Sequence, residues 1–178
     1  MKILGVDPGT LITGFGIIQY DKNKLSYITS GIIKPPKTNN MGERLRVIYD
    51  DLFSLIKTYE PEEFAIETAF YGKNIQSTMK IGYARGVSIL AAVQNNINTA
   101  EYSPRTIKQA VVGKGAASKK QVQFMITRLL ALGDEDKMFD ETDALAVAVC
   151  HAFKSTEIIS SGKNWKTFVE NNPDLIVR

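Results

Sequence analysis

The sequence predicts an α/β protein: a mixed five-stranded sheet flanked by helices on both faces. Three observations predict it. Up to Lys34 the chain holds three strand-like apolar runs in succession, joined by tight turns. Beyond residue 40, short apolar runs alternate with longer runs of helical spacing, the pattern of a layered sheet-and-helix architecture. The chain has 178 residues and 44% apolar content, which suits one domain with a sizeable core.

Lys2–Val6 reads as the first strand and ends at Asp7, before a Pro8-Gly9 turn. Thr13–Tyr20 reads as the second and the run after Lys24 as the third, stopped by Pro35-Pro36. A helix is expected from about Asn40, where Met41, Leu45, Ile48, Leu52, Leu55, Ile56 and Tyr59 recur at helical spacing, with Pro61 stopping it. Phe64–Glu67 is a short strand that ends in a carboxylate, and residues 70–74 form a loop. A helix over about residues 75–94 carries Met79, Gly82, Tyr83, Gly86, Leu90 and Val93 along one side. Ile97–Tyr102 is the fifth strand. The fourth and fifth strands follow long crossovers and should run parallel to the first. Ser103-Pro104 starts a short helix that ends by Gly113. Ser118 caps the next, expected to end at Gly133, and Asp140 begins the last firm helix. Residues 1–155 are expected to form the domain, with 156–178 a peripheral tail in which Trp165 pins a terminal turn. His151 and Cys150 read as packing residues of the last helix.

No apolar run approaches the roughly eighteen residues of a membrane span, and, with the opening residues reading straight into a strand, no secretory leader is expected. A cytoplasmic protein is expected. One cysteine and one histidine exclude an internal disulfide and a multi-histidine zinc site. A metal would be held by carboxylates, which favours Mg²⁺ or Mn²⁺. Charge is segregated: residues 68–130 hold nine Lys/Arg and one acid, Glu101, whereas residues 133–143 hold six Asp/Glu and one Lys. A cationic middle beside acidic points suits a polyanion bound next to a cation site.

Four carboxylates stand where such a site would form. Asp7 and Glu67 end two strands expected to be neighbours. Asp140 and Asp143, three apart, share a helical face at about 5–6 Å. Their convergence is costly without cations, and two divalent ions would offset it. Each has a plainer reading: Asp7 as a turn residue before Pro-Gly, Glu67 as a solvated strand end, Asp140 and Asp143 as an N-cap and its capping-box partner. The opening Asp-x-Gly-Thr also suits a phosphate-cradling ATPase hairpin, but that fold needs a duplicated half, and the chain shows no repeat.

GVDPGTLITGFG, AIETAFYGKNIQSTMKIGYARGV, YSPRTIKQAVVGKGAASKKQVQFM and ETDALAVAVCHA together resemble the RuvC family of Holliday-junction resolvases. The resemblance covers about residues 1–155. It implies an RNase H-like fold and a homodimer that nicks two strands of a four-way DNA junction symmetrically, leaving 5′-phosphates. It also implies Mg²⁺, with Mn²⁺ as a substitute and two ions per site, and a branch-migration motor as partner. By position Asp7, Glu67, Asp140 and Asp143 match the acidic site, where some members have histidine in place of Asp140. Phe70 matches the aromatic that enters the opened junction centre, and Lys108 and Lys119 match basic residues near the scissile strand. Tyr71 and Lys73 in the same loop, with Lys114 and Lys120, complete the expected DNA contacts. Two other readings remain: an RNase H-like nuclease of structured RNA or RNA–DNA hybrid, and a non-catalytic junction-binding module.

Overall fold

The computed structural model describes residues 1–68, 75–133 and 138–159, with side chains of the last helix through Thr156. Five strands and five helices follow the expected order. The strands are β1 (Lys2–Asp7), β2 (Thr13–Asp21), β3 (Lys24–Ile33), β4 (Glu63–Glu67) and β5 (Asn98–Tyr102). The helices are α1 (Met41–Tyr59), α2 (Ile75–Val93), α3 (Pro104–Val112), α4 (Lys119–Leu129) and α5 (Phe139–Ile159).

The sheet order is β3-β2-β1-β4-β5. β1, β2 and β3 form an antiparallel meander, while β4 lies parallel to β1 and β5 parallel to β4. Alternation along the strands divides the core in two. Leu4, Val6, Phe64 and Ile66 face α1 and α2. Ile3 and Ala65 face the other way, toward α3, α4 and α5. Asp7 and Glu67 continue that second register, so both carboxylates belong to the α5 face.

The expected helix starts are made as read. Asn40 accepts from the Glu43 N–H at the start of α1. Ser103 caps α3, with Pro104 at its first position and Gly113 left-handed at its end. Ser118 and Gln121 form a reciprocal capping box on α4.

Two boundaries differ. α4 does not run to Gly133. The chain turns at Ala131, whose φ is +48°, and Leu132 N donates to Thr127 O at 2.9 Å. Burying Leu130 and packing Leu132 on the same core fixes the turn earlier than the glycine does. α5 begins at Phe139 rather than Asp140, with Glu141 N and Thr142 N both bonded to Met138 O. Asp140 therefore lies inside the first turn, not at the cap. α5 continues to Ile159, and Thr156 Oγ1 lies 2.7 Å from Tyr20 Oη on β2. No described helix is long and apolar enough to cross a membrane.

α5 lies unusually close to the sheet. A Cβ on Gly5 would stand 2.3 Å from Ala144 O, one on Gly14 2.0 Å from Asp140 O, and one on Gly16 2.6 Å from Leu145 Cδ2. Glycine at these strand positions removes the side chains that would hold the helix off.

Candidate active site

The site is built at the carboxyl ends of β1 and β4. Val6 pairs with Ile66, so Asp7 and Glu67 leave the sheet side by side. α5 crosses that edge and brings Asp143 over it. Asp7, Glu67, Asp143, Lys108 and Lys119 line one cleft of about 160 Å³, with Pro104, Ile107, Val122 and Ala146 as its apolar walls. Asp140 does not line it, although its charge reaches Asp7. A wider depression of about 390 Å³ at the start of α1 gathers a single carboxylate, Glu43.

The electrostatics of the cleft are those of crowded anions. Burial pushes Asp7 up to about 7, and the charges of Asp143 and Asp140 add to it while Lys119 opposes. Burial likewise pushes Glu67 up to about 7, helped by Asp7 and Asp143 and opposed by Lys119 and Lys108. Lys119 Nζ lies 2.5 Å from Asp143 Oδ2. Burial lowers the Lys119 pKa, but the bond to Asp143 and the charges of Asp7 and Asp140 outweigh it, so its net shift is upward. Lys119, with Lys108 on the Glu67 side, supplies countercharge in the cleft.

Among the described residues, no three His, Cys, Asp or Glu side chains are disposed together to hold a metal ion. Asp143 is turned toward the ammonium. The donor set nonetheless fits a hard divalent cation: oxygen only, anionic, and incompletely neutralised by lysine. Asp7, Glu67 and Asp143 are the residues that could hold one, with Asp140 one turn of helix away.

The remaining expected residues fall into two groups. Lys114 and Lys120 are exposed and lie outside the cleft lining. Phe70, Tyr71 and Lys73 lie outside the described residues, as does Trp165. Cys150 and His151 are buried as expected. His151 is nonetheless more than packing: its Nδ1 lies 2.8 Å from Tyr102 Oη. Nothing local in the sequence marks that pair, since 49 residues separate its members.

A five-stranded mixed sheet with carboxylates at the ends of its central parallel strands, and a further acidic helix laid across them, defines an RNase H-like nuclease. The profile described as "Crossover junction endodeoxyribonuclease RuvC" matches residues 3–151. RuvC of Cytophaga hutchinsonii is 42% identical over 98% of this chain and 87% of its own length. RuvC of Porphyromonas gingivalis is 43% identical over 98% of this chain and 96% of its own. In structure, Thermus thermophilus RuvC in complex with Holliday junction substrate superposes with a TM-score of 0.81 at 28% identity, covering 87% of this chain and 94% of that one. The chain belongs to the RuvC family of crossover junction endodeoxyribonucleases. It is a structure-selective nuclease that resolves DNA junctions, in a family that uses divalent metal ions for catalysis.

Proposed function

We propose that Asp7, Glu67, Asp140 and Asp143 are the catalytic acids and hold two Mg²⁺ ions, which Mn²⁺ can replace. The observation that carries this reading is the meeting of Asp7, Glu67 and Asp143 with Lys108 and Lys119 in one cleft. Bound divalent ions supply Lewis-acid charge at the attacking and leaving oxygens of a phosphodiester. The carboxylates of β1 and β4 fix where that charge sits. The lysines of α3 and α4 add positive charge toward the non-bridging oxygens, which become more anionic as water attacks phosphorus. The P–O3′ bond breaks, leaving a 3′-hydroxyl and a 5′-phosphate. With divalent ions held by the carboxylates, Asp143 would no longer need Lys119 as its countercharge, and the lysine would be available to the phosphate.

The substrate is four-way junction DNA. Lys73, Lys108, Lys114, Lys119 and Lys120 provide phosphate contacts, which give affinity without sequence information. Phe70, with Tyr71, stacks on bases opened at the junction centre, where unstacking is cheap. Residues 1–155 form the nuclease domain. With Mg²⁺, labelled four-way junctions should be cut at symmetric positions, linear duplex and RNA–DNA hybrid should not, and EDTA should stop all cleavage. Cleavage of hybrid at the junction's rate would transfer the reading to an RNA-directed nuclease.

Paired nicks need two sites, and a C₂ dimer matches the two-fold symmetry of an open junction. α2 offers the seam. Ile75, Met79, Tyr83, Leu90 and Val93 lie on one side of it and are 46–74% exposed. Among the described residues a Cβ on Gly82 or Gly86 would meet nothing within 4 Å, which leaves the same side open to a second backbone. Sedimentation at micromolar protein should give a dimer for the parent and a monomer of unchanged helicity for Gly86→Arg. A parent that stays monomeric with and without junction DNA overturns the dimer. A branch-migration motor is the further partner that family membership suggests.

A further inference from the structure

Tyr102 meets both β4 and α5, which carry Glu67 and Asp143 of the acidic cleft. It is the last residue of β5 and stands opposite Glu67 in the parallel register. Its carbonyl accepts from Thr68 N at 2.9 Å, which ties down the chain immediately after Glu67. Its hydroxyl lies 2.8 Å from His151 Nδ1 on α5, two helical turns beyond Asp143. The next residue, Ser103, caps the helix that carries Lys108.

The pair is buried and polar where two apolar rings would pack. His151 is 7% exposed. Among the described residues its Nε2 has no hydrogen-bond partner, and Glu63 Oε2 stands off at 3.7 Å. Burial holds the phenol up to about 12, helped by Cys150 and Glu63, so it remains a donor. Burial also lowers the His151 pKa against the opposing charge of Glu63. A neutral ring that accepts at Nδ1 carries its proton on Nε2, toward Glu63. The contact is thus directional, from Tyr102 Oη to His151 Nδ1. A hydrogen bond sets one distance and one ring orientation, whereas apolar faces of the same shape would slide. α5 is bonded to the β2 and β3 side of the sheet through Thr156–Tyr20 and Glu141–Ser30. The Tyr102–His151 bond ties the same helix to the opposite side, where β5 pairs with β4.

We propose that Tyr102 is a positioning residue: through His151 it sets the separation between the carboxylate at the end of β4 and those on α5, and so the affinity of the cleft for divalent ions. This rests on the reading of those carboxylates as metal ligands. Partners that orient metal ligands change metal affinity by about 10–100-fold when removed.

The test is manganese binding to the metal-free protein, read from the paramagnetic resonance signal of free Mn²⁺, together with junction cleavage kinetics. Tyr102→Phe should weaken Mn²⁺ binding about tenfold and lower kcat at limiting Mn²⁺, with KM for the junction unchanged. His151→Leu removes the acceptor instead of the donor and should reproduce the loss. His151→Gln keeps an acceptor and should recover most of it. Ile48→Val trims the core on the opposite face of the sheet; it should lower the melting temperature and leave Mn²⁺ affinity alone. If the parent binds Mn²⁺ and Tyr102→Phe binds it equally well, the positioning role is overturned and the bond is only a core contact. The role is equally overturned if Ile48→Val weakens binding as much as Tyr102→Phe. A parent that binds no Mn²⁺ overturns the metal reading, and the proposal with it.

Discussion

Asp7→Asn should cleave four-way junctions about 10³-fold more slowly than the parent, or worse, while binding them with the parent's affinity. Asp7 sits at the end of β1 beside Glu67, and α5 brings Asp143 to the same cleft. Amide for carboxylate keeps the shape and removes the charge. A metal-assisted phosphoryl step loses several kcal/mol of charge stabilisation without its ligand, and each 1.4 kcal/mol or so is tenfold in rate. Affinity comes instead from lysines on phosphates, which the substitution does not touch. Gel-shift affinity and single-turnover cleavage on one junction separate the two effects. Asp7→Asn protein that still cleaves within tenfold of the parent rate would show that this carboxylate is a turn residue and no more.

The same substitution should stabilise the protein when metal is withheld. Asp7 is pushed up to about 7 in the fold, against 3.8 as its ordinary value. Between those values the folded chain holds more protons than the unfolded chain, so stability falls as pH rises through that window. The penalty is fully developed above pH 7 and absent below about 4. Asp7→Asn never incurs it. In EDTA its melting temperature should match the parent's near pH 4 and exceed it by on the order of 5 °C at pH 8. His151 contributes in the opposite direction, because a buried neutral imidazole loses stability as pH falls below its ordinary value of 6.5. It contributes equally to both proteins and drops out of the difference. Saturating Mg²⁺ should erase or reverse the gap, since only the parent has its full set of ligands.

How much of this was legible depended on whether the signal was local. Strand ends at Asp7 and Glu67 were legible because each closes an apolar run. The parallel placement of β4 and β5 followed from the length of their crossovers. Ser103 and Ser118 announced α3 and α4 through cap chemistry that the structure reproduces. The capping-box alternative for Asp140 and Asp143 could not be dismissed from spacing. It falls because α5 starts one residue early and Asp143 turns to Lys119 instead. The turn at Ala131 was hidden because a left-handed alanine carries no mark, while Gly133 two residues on carries an obvious one. Tyr102 and His151 were each read correctly as residues of their elements. Their bond was invisible because it joins an edge strand to a helix 49 residues away. Gly5, Gly14 and Gly16 were hardest to read. In a strand, glycine looks like weakness, and only the helix pressed against it shows its purpose.

Gly14→Ala should therefore cost the enzyme about 100-fold in cleavage, with a loss of stability of roughly 1–3 kcal/mol. Gly14 pairs with Asp7 across the hairpin. A methyl group there would stand 2.0 Å from Asp140 O and 2.6 Å from its carbonyl carbon. Those atoms are backbone in the first turn of α5, so no side-chain rotation relieves the clash. The helix start must move by about 1 Å or more, and Asp140 and Asp143 move with it. A displacement of that size is worth about 10²-fold when reacting groups must align. Junction binding should persist, because Lys108 and Lys119 ride on α3 and α4 rather than on α5. Gly133→Ala is the matched control, since a Cβ there meets nothing within 4 Å among the described residues. It should leave melting temperature and turnover at the parent's values. Cleavage by Gly14→Ala at the parent's rate, despite a lowered melting temperature, would mean that the acidic helix need not lie against β2 for catalysis. The close approach would then serve only the core.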